Sequence, residues 1–149
     1  MREFPFPKDG TSKPMDKVSK QKRSEIMSRV KSKNTSPERL VFAYLRKQKI
    51  CFQKHYGHAP GSPDIALPRK RKAVFIEGGF WHGWGFKKLR PKLPLYWREK
   101  IENNIRRDKR NRAHLARLGW SVLRIWDHDL KRKPLATLER ITSFLRDLK

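Results

Sequence analysis

The sequence predicts an α/β domain built on a central mixed β-sheet flanked by α-helices. Three observations predict it. Three short strand-like runs, ICFQKH, PDIALP and AVFIEG, succeed one another between residues 50 and 78. A long helical pattern from about Leu95 to Leu118 separates them from a fourth apolar run, WSVLRIW. An amphipathic stretch, PLATLERITSFLRDL, closes the chain. With two helices ahead of the strands, the order is helix, helix, strand, strand, strand, helix, strand, helix, that of one small α/β unit.

Each element has its own local signal. Residues 1–18 carry Pro5, Pro7 and Pro14 among Lys, Ser and Asp, and read as a flexible basic arm ahead of a domain over 19–149. Met15 is a candidate start beside Met1. SKQKRSEIMSRVKSK reads as a short basic helix with Ile26, Met27 and Val30 on one side. Ser36-Pro37-Glu38 is a helix start: a serine N-cap, proline in the first turn and an acid at the positive end of the dipole. That helix is expected to reach about Gln48 with Leu40, Val41, Tyr44 and Leu45 inward. Gly61-Ser62-Pro63 and Pro68 bound the second strand, and the basic turn RKRK leads into the third. The long helix should end with Gly119 just beyond it. The apolar density of WSVLRIW predicts a central parallel strand buried on both faces. The last helix is apolar at Leu135, Leu138, Ile141, Leu145 and Leu148.

Composition narrows the partner. The chain of 149 residues is long enough for one domain with a core. Lys plus Arg number 38 against 14 Asp plus Glu, a formal net charge of +24 that points to a polyanion, most simply nucleic acid. A protein using charge only to bind remains the alternative. Cys51 is the sole cysteine, which excludes an intrachain disulfide and a cysteine-based zinc site; it reads as a small buried hydrophobe. No apolar run approaches the ~18 residues of a membrane span, and the N-terminus has no signal-peptide core. A cytosolic, DNA- or RNA-facing protein is expected.

The chemistry concentrates in few residues. At about 100° per residue, Trp97, Ile101, Asn104, Asp108, Asn111 and Leu115 share one stripe of the long helix. Asp108 is therefore an inward carboxylate, either a structural acid paired with an arginine or a group that orients something in a polar site. The candidate for that something is His82, in the glycine-rich stretch EGGFWHGWGF, where a carboxylate-held imidazole suits a general base. Asp64 starts one strand and Glu77 ends the next, so both acids can meet at one sheet edge and share a divalent cation such as Mg2+. Phe80 and Trp81 are either a plug under the loop or wedges that enter a base stack.

The ordered set IMSRVKSKNTSPE, PGSPDI, AVFIEGGFWHG, YWREKIENNIRRDKRN and LGWSVLRIW resembles the very-short-patch-repair (Vsr) DNA mismatch endonucleases over about residues 16–130. The resemblance implies a restriction-endonuclease-like fold with a PD-(D/E)xK-type core. It implies an Mg2+-dependent phosphodiester hydrolase that nicks one DNA strand 5′ to the thymine of a T:G mismatch. Asp64 would bind the metal with a main-chain carbonyl near the end of the third strand. His82 would be the base, supported by Asp108; Glu77 would lie near the scissile phosphate and Glu38 would support the site. Phe80 and Trp81 match an intercalating pair, and Met27 a methionine entering from the other groove. The family's cysteine-based structural zinc positions look here like Gly79, Trp84, Phe86 and His128, so no zinc is expected and Trp84 with Phe86 would form an apolar plug. The lysine of the wider nuclease motif is missing after Glu77, which agrees with His82 as base. The implied setting is a monomer acting on mismatched double-stranded DNA in a bacterial-type cytoplasm, with no membrane and with room for helper repair proteins. The alternatives are a related nicking or restriction-type nuclease without mismatch preference, and a non-catalytic basic nucleic-acid-binding protein.

Overall fold

In the computed structural model, which describes residues 19–29 and 33–147, four strands form one sheet in the order β1-β2-β3-β4. The arm expected at 1–18, Val30 and Leu148 lie outside the described residues. The elements run α1 (Lys20–Arg29), α2 (Ser36–Lys47), β1 (Gln53–Lys54), β2 (Ile65–Leu67), β3 (Lys72–Glu77), α3 (Phe86–Leu89), α4 (Leu95–Arg117), β4 (Ser121–Trp126), α5 (Asp127–Arg132) and α6 (Pro134–Arg146). The first three strands pair antiparallel, and β4 pairs parallel with β3, Glu77 opposite Trp126. The expected mixed α/β architecture is present, consistent with a restriction-endonuclease-like fold.

The core forms where α2 and α6 cover one face of the sheet. Val41, Phe42 and Leu45 of α2 and Leu138, Ile141 and Leu145 of α6 meet Ile65, Val74 and Ile125 from the strands. Their strand neighbours Ala66 and Ala73 are fully buried too, so the sheet centre is covered on both faces. The helix α4 packs on β4, with Trp97, Ile101 and Leu115 buried. Lys72 at the start of β3 is buried because its ammonium donates to the carbonyls of Phe144 (2.5 Å) and Asp147 (2.6 Å), closing the C-terminal end of α6. No described helix is long and apolar enough to cross a membrane.

Several local expectations are corrected. The N-cap of α2 is Thr35, not Ser36: the Thr35 hydroxyl accepts from the Glu38 amide and the Glu38 carboxylate accepts from the Thr35 amide, a reciprocal capping box. The face that α2 buries includes Phe42, and Leu40 is 44% exposed. Cys51 is exposed, because Ile50 and Phe52 on either side of it turn to the core and the alternating position faces out. The strand β4 is an edge strand, not a central one, and among its residues only Ile125 is buried. Leu135 lies in the first turn of α6 and is 61% exposed. The short helix α5 had no sequence signal that singled it out. The long helix does end as expected, with Gly119 at φ +81° beyond it.

The capping box makes a stability prediction. Thr35→Ala should destabilise the protein by about 1 kcal/mol, read as a lower urea midpoint at unchanged slope, while Ser36→Ala should stay within about 0.5 kcal/mol of the parent.

Candidate active site

The first group of polar side chains gathers where α2 meets the β1–β2 hairpin. Gly61 (φ +79°) and Ser62 (φ +48°) make the turn that delivers Asp64 to the start of β2. A side chain at position 61 would come within 3.1 Å of Asn111 on α4, so this turn is close-packed. Asp64 Oδ2 accepts from the Ile76 amide of β3 at 2.7 Å. Glu38 is buried, at 3% exposure, in the first turn of α2. Glu38 and Asp64 meet each other through their side chains, and His55 lies against both: its Nε2 is 3.5 Å from Glu38 Oε2 and 3.4 Å from Asn34 Oδ1, and its Nδ1 is 3.8 Å from Asp64 Oδ1.

The second group lies at the far end of β3. Glu77 is 4% exposed and is held by Arg124 of β4, whose Nε and one Nη lie 2.7 and 2.6 Å from Glu77 Oε2. His82 Nδ1 is 2.5 Å from Asp108 Oδ2 on α4 and 4.0 Å from Glu77 Oε1. When Nδ1–H of the neutral ring donates to Asp108, Nε2 keeps its lone pair.

The loop carrying His82 is fixed by its neighbours. Asn104 of α4 donates to the Trp81 carbonyl (3.1 Å), and Asp127 accepts from the Gly79 amide (3.3 Å). Gly83 sits at φ +86° with Ile105 2.4 Å from where a Cβ would be, so no other residue fits without displacement. The inward stripe expected on the long helix thus reaches the loop through Asn104 and Asp108. Phe80 and Trp81 meet edge to face at 4.8 Å, and Trp81 lies 5.7 Å from Trp97; both loop rings are half-buried. Gly79, Trp84 and His128 converge, with the Trp84 and His128 rings 4.3 Å apart. Trp84 is 52% exposed, so it covers His128 from outside and is not enclosed; Phe86 is half-buried at the start of α3. Trp126 and Arg124 extend the stack, the guanidinium 4.7 Å from the Trp126 ring. Met27 is half-buried on α1.

Electrostatics separate the acids. Burial pushes the Asp64 carboxyl up to about 7 against the Ile76 amide, which favours the charged form, and the negative neighbours Glu38 and Glu77 add to the rise. Burial also acts upward on Asp108, but the hydrogen bond and charge of His82 and the contact with Arg107 outweigh it and hold Asp108 below the usual carboxylate range. Burial, with the charge of Arg124 nearby, lowers Arg112. Among the described residues two sets could hold a cation, Glu38–His55–Asp64 and Glu77–His82–Asp108, each with its ligand atoms within 4.8 Å of one another. Asp64 and Glu77, paired on one cation in the sequence reading, fall into different sets, yet they are close enough for the charge on one to raise the other. Sequence reasoning missed His55 and Arg124. Arg124 could have been found as the one charged residue inside WSVLRIW.

Comparison with known proteins gives concordant matches. A family model described as DNA mismatch endonuclease Vsr matches residues 15–88. The type II nicking enzyme V.XorIIP of Xanthomonas oryzae pv. oryzae is 42% identical over 77% of this chain and 86% of its own length. The type II nicking enzyme V.NmeAIP of Neisseria meningitidis serogroup A is 37% identical over 86% of this chain and 92% of its own. The DNA mismatch endonuclease Vsr of Escherichia coli is 31% identical over 89% of this chain and 86% of its own.

The raised Asp64 value has a sign that can be checked. A carboxyl whose folded pKa lies above its ordinary 3.8 contributes stability below that value and loses it as pH rises through about 7. In the absence of metal and DNA, Asp64→Asn should therefore raise Tm at about pH 8.5 and do so much less at about pH 5. An equal loss of Tm at both pH values would contradict the buried-charge account.

Proposed function

The chain belongs to the DNA mismatch endonuclease Vsr family, and from that premise we propose that it is an Mg2+-dependent DNA endonuclease nicking one strand 5′ to the thymine of a T:G mismatch. The observation that carries the reading is the His82–Asp108 pair beside buried acids: an imidazole held by one nitrogen, Glu77 4.0 Å from it, and Glu77 in turn close enough to Asp64 for its charge to be felt there. Binding DNA by charge alone needs lysines and arginines, not acids withdrawn from water at such desolvation cost.

The residues fit a hard divalent cation. Asp64 is an oxygen donor held in a buried site where like charges oppose its ionisation, and a cation would relieve that opposition. Asp64 and a main-chain carbonyl near the end of β3 would hold it. When bound, Mg2+ supplies positive charge to the phosphate oxygens. His82 Nε2 takes the proton from the attacking water, while Asp108 holds the ring by Nδ1 and fixes its tautomer. Arg124 keeps Glu77 oriented toward the site. Phe80 and Trp81 enter the base stack beside the mismatch, Met27 enters from the other groove, and the glycines of the loop let its backbone come close to the duplex. The basic surface and arm hold phosphates. The protein acts as a monomer on DNA of a bacterial-type cytoplasm, and helper repair proteins fit this scheme.

A second reading is nicking without mismatch preference. It draws on the departures at Gly79, Trp84, Phe86 and His128, which lie in or against the loop that carries Phe80 and Trp81. Mg2+-dependent cleavage of matched and T:G-mismatched duplexes separates the two. The mismatched duplex should be nicked on the thymine strand and the matched one spared; equal nicking of both would favour the second reading. Asp64→Ala should remove cleavage while DNA binding persists, and His82→Ala should lower the rate by about 10²–10⁴-fold. Cleavage by Asp64→Ala at the parent rate would remove the metal assignment.

The wedge role is tested separately. Phe80→Ala combined with Trp81→Ala should narrow the preference for mismatched over matched duplex with little change in Tm. A collapse of Tm would instead make the two rings a plug of the loop.

A further inference from the structure

His55 belongs to the Glu38–His55–Asp64 set but has no part in the reaction as proposed. It follows β1 directly, and its amide donates to the Asp64 carbonyl at 3.1 Å. The next amide, Tyr56, donates to the Pro63 carbonyl at 2.9 Å, so the hairpin fixes His55 beside Asp64 through two successive bonds. The backbone at His55 has a positive φ, +47°, a region uncommon for residues other than glycine, although histidine is among those enriched there. The ring rests edge-on against Phe42, with centroids 5.8 Å apart, and Phe42 stacks on Phe52. That packing places Nε2 beside Glu38 at 3.5 Å and Asn34 Oδ1 at 3.4 Å, and Nδ1 beside Asp64 at 3.8 Å. The separations from the two carboxylates are ion-pair range, longer than a formed hydrogen bond, as is common at sites that tighten when occupied.

We propose that His55 is a positioning residue for the reaction: its ring, wedged between α2 and the β1–β2 hairpin, sets the separation and orientation of the Glu38 and Asp64 carboxylates, so that the acid pair is arranged before cation and DNA arrive. The inference rests on Asp64 being the cation ligand. Two acids on separate elements, one on α2 and one before β2, have no covalent reason to hold a fixed spacing. The two carboxylates meet directly, and the imidazole is a third side chain that touches both, so it can fix how they meet. Outer partners of this kind govern cation affinity through the orientation of the ligand they contact.

Three variants of the full chain test it, using Mn2+ alone as the probe, read by electron paramagnetic resonance without DNA, and nicking of the preferred duplex. His55→Leu keeps bulk against Phe42 and removes both nitrogens. It should weaken Mn2+ binding and lower kcat by about tenfold each, with KM for duplex within about twofold. His55→Gln, which restores a polar group of similar reach, should recover both to within about threefold of the parent. Parent-like Mn2+ binding and kcat in His55→Leu would overturn the proposal, and so would His55→Gln falling as low as His55→Leu, which would make the ring mere packing. Asp64→Asn separates the premise from the inference. If Asp64→Asn is inactive and His55→Leu behaves as the parent, His55 alone loses its role; if Asp64→Asn cuts and binds Mn2+ normally, the premise fails and the inference with it.

Discussion

The parallel pairing of β3 and β4 is the constraint on which the site depends. Two parallel neighbours cannot be joined by a tight turn; the chain must leave the end of β3 and return along the sheet to start β4 at the other end. Here that return is α4, 23 residues long, and the glycine loop and α3 lie between β3 and it. The helix therefore has to pass the end of β3, and its inward stripe meets whatever emerges there. Asn104 catches the loop backbone at Trp81 and Asp108 catches the ring of His82. The same pairing sets Arg124 two residues before Trp126, the partner of Glu77, close enough to grip that carboxylate. Remove the parallel register and none of these three contacts has a reason to exist.

How much of this could be read in advance follows from the range of each signal. The inward face of α4 was legible because helical periodicity is local: Trp97, Ile101 and Leu115 are buried, and the polar positions among them reach the loop. The parallel placement of β4 was legible in kind, but its apolar density suggested the sheet centre. In the fold that density serves ring packing at an edge, Trp126 against His128 and Trp120 against Tyr56. Thr35 and Ser36 are both good caps, and only the reciprocal bonds with Glu38 decide between them. His55 was not legible at all. Its contacts with Glu38 and Asp64 join positions 17 and 9 residues away, as the residue numbers show, through a hairpin whose strand β1 is two residues long.

The distribution of charge complements this geometry. A chain of net charge +24 has little need of acids for solubility, and only 14 of its residues are Asp or Glu. Four of them, Glu38, Asp64, Glu77 and Asp108, are withdrawn from the surface into two adjoining clusters. Desolvation makes each costly, and each is met differently: by a capping box, a strand amide, an arginine and a histidine. The result is a basic exterior for a polyanion and a negative interior end to the sheet, which is the division of labour expected of an enzyme of this family that draws DNA to a cation.

Phe80, Trp81 and His82 are consecutive, on one short loop whose backbone is tied to α4 through the middle of the three. Neighbouring residues on so short a tether cannot move independently. A movement of the backbone under the two rings is passed along one peptide unit to the imidazole. On the proposed reading, in which the rings enter the duplex and His82 is the base, a duplex that seats the rings poorly would also spoil the alignment of the imidazole, and discrimination would need no separate checkpoint. The same linkage limits evolutionary freedom: new target preferences would arise more readily from surfaces away from this tripeptide than from substitutions within it.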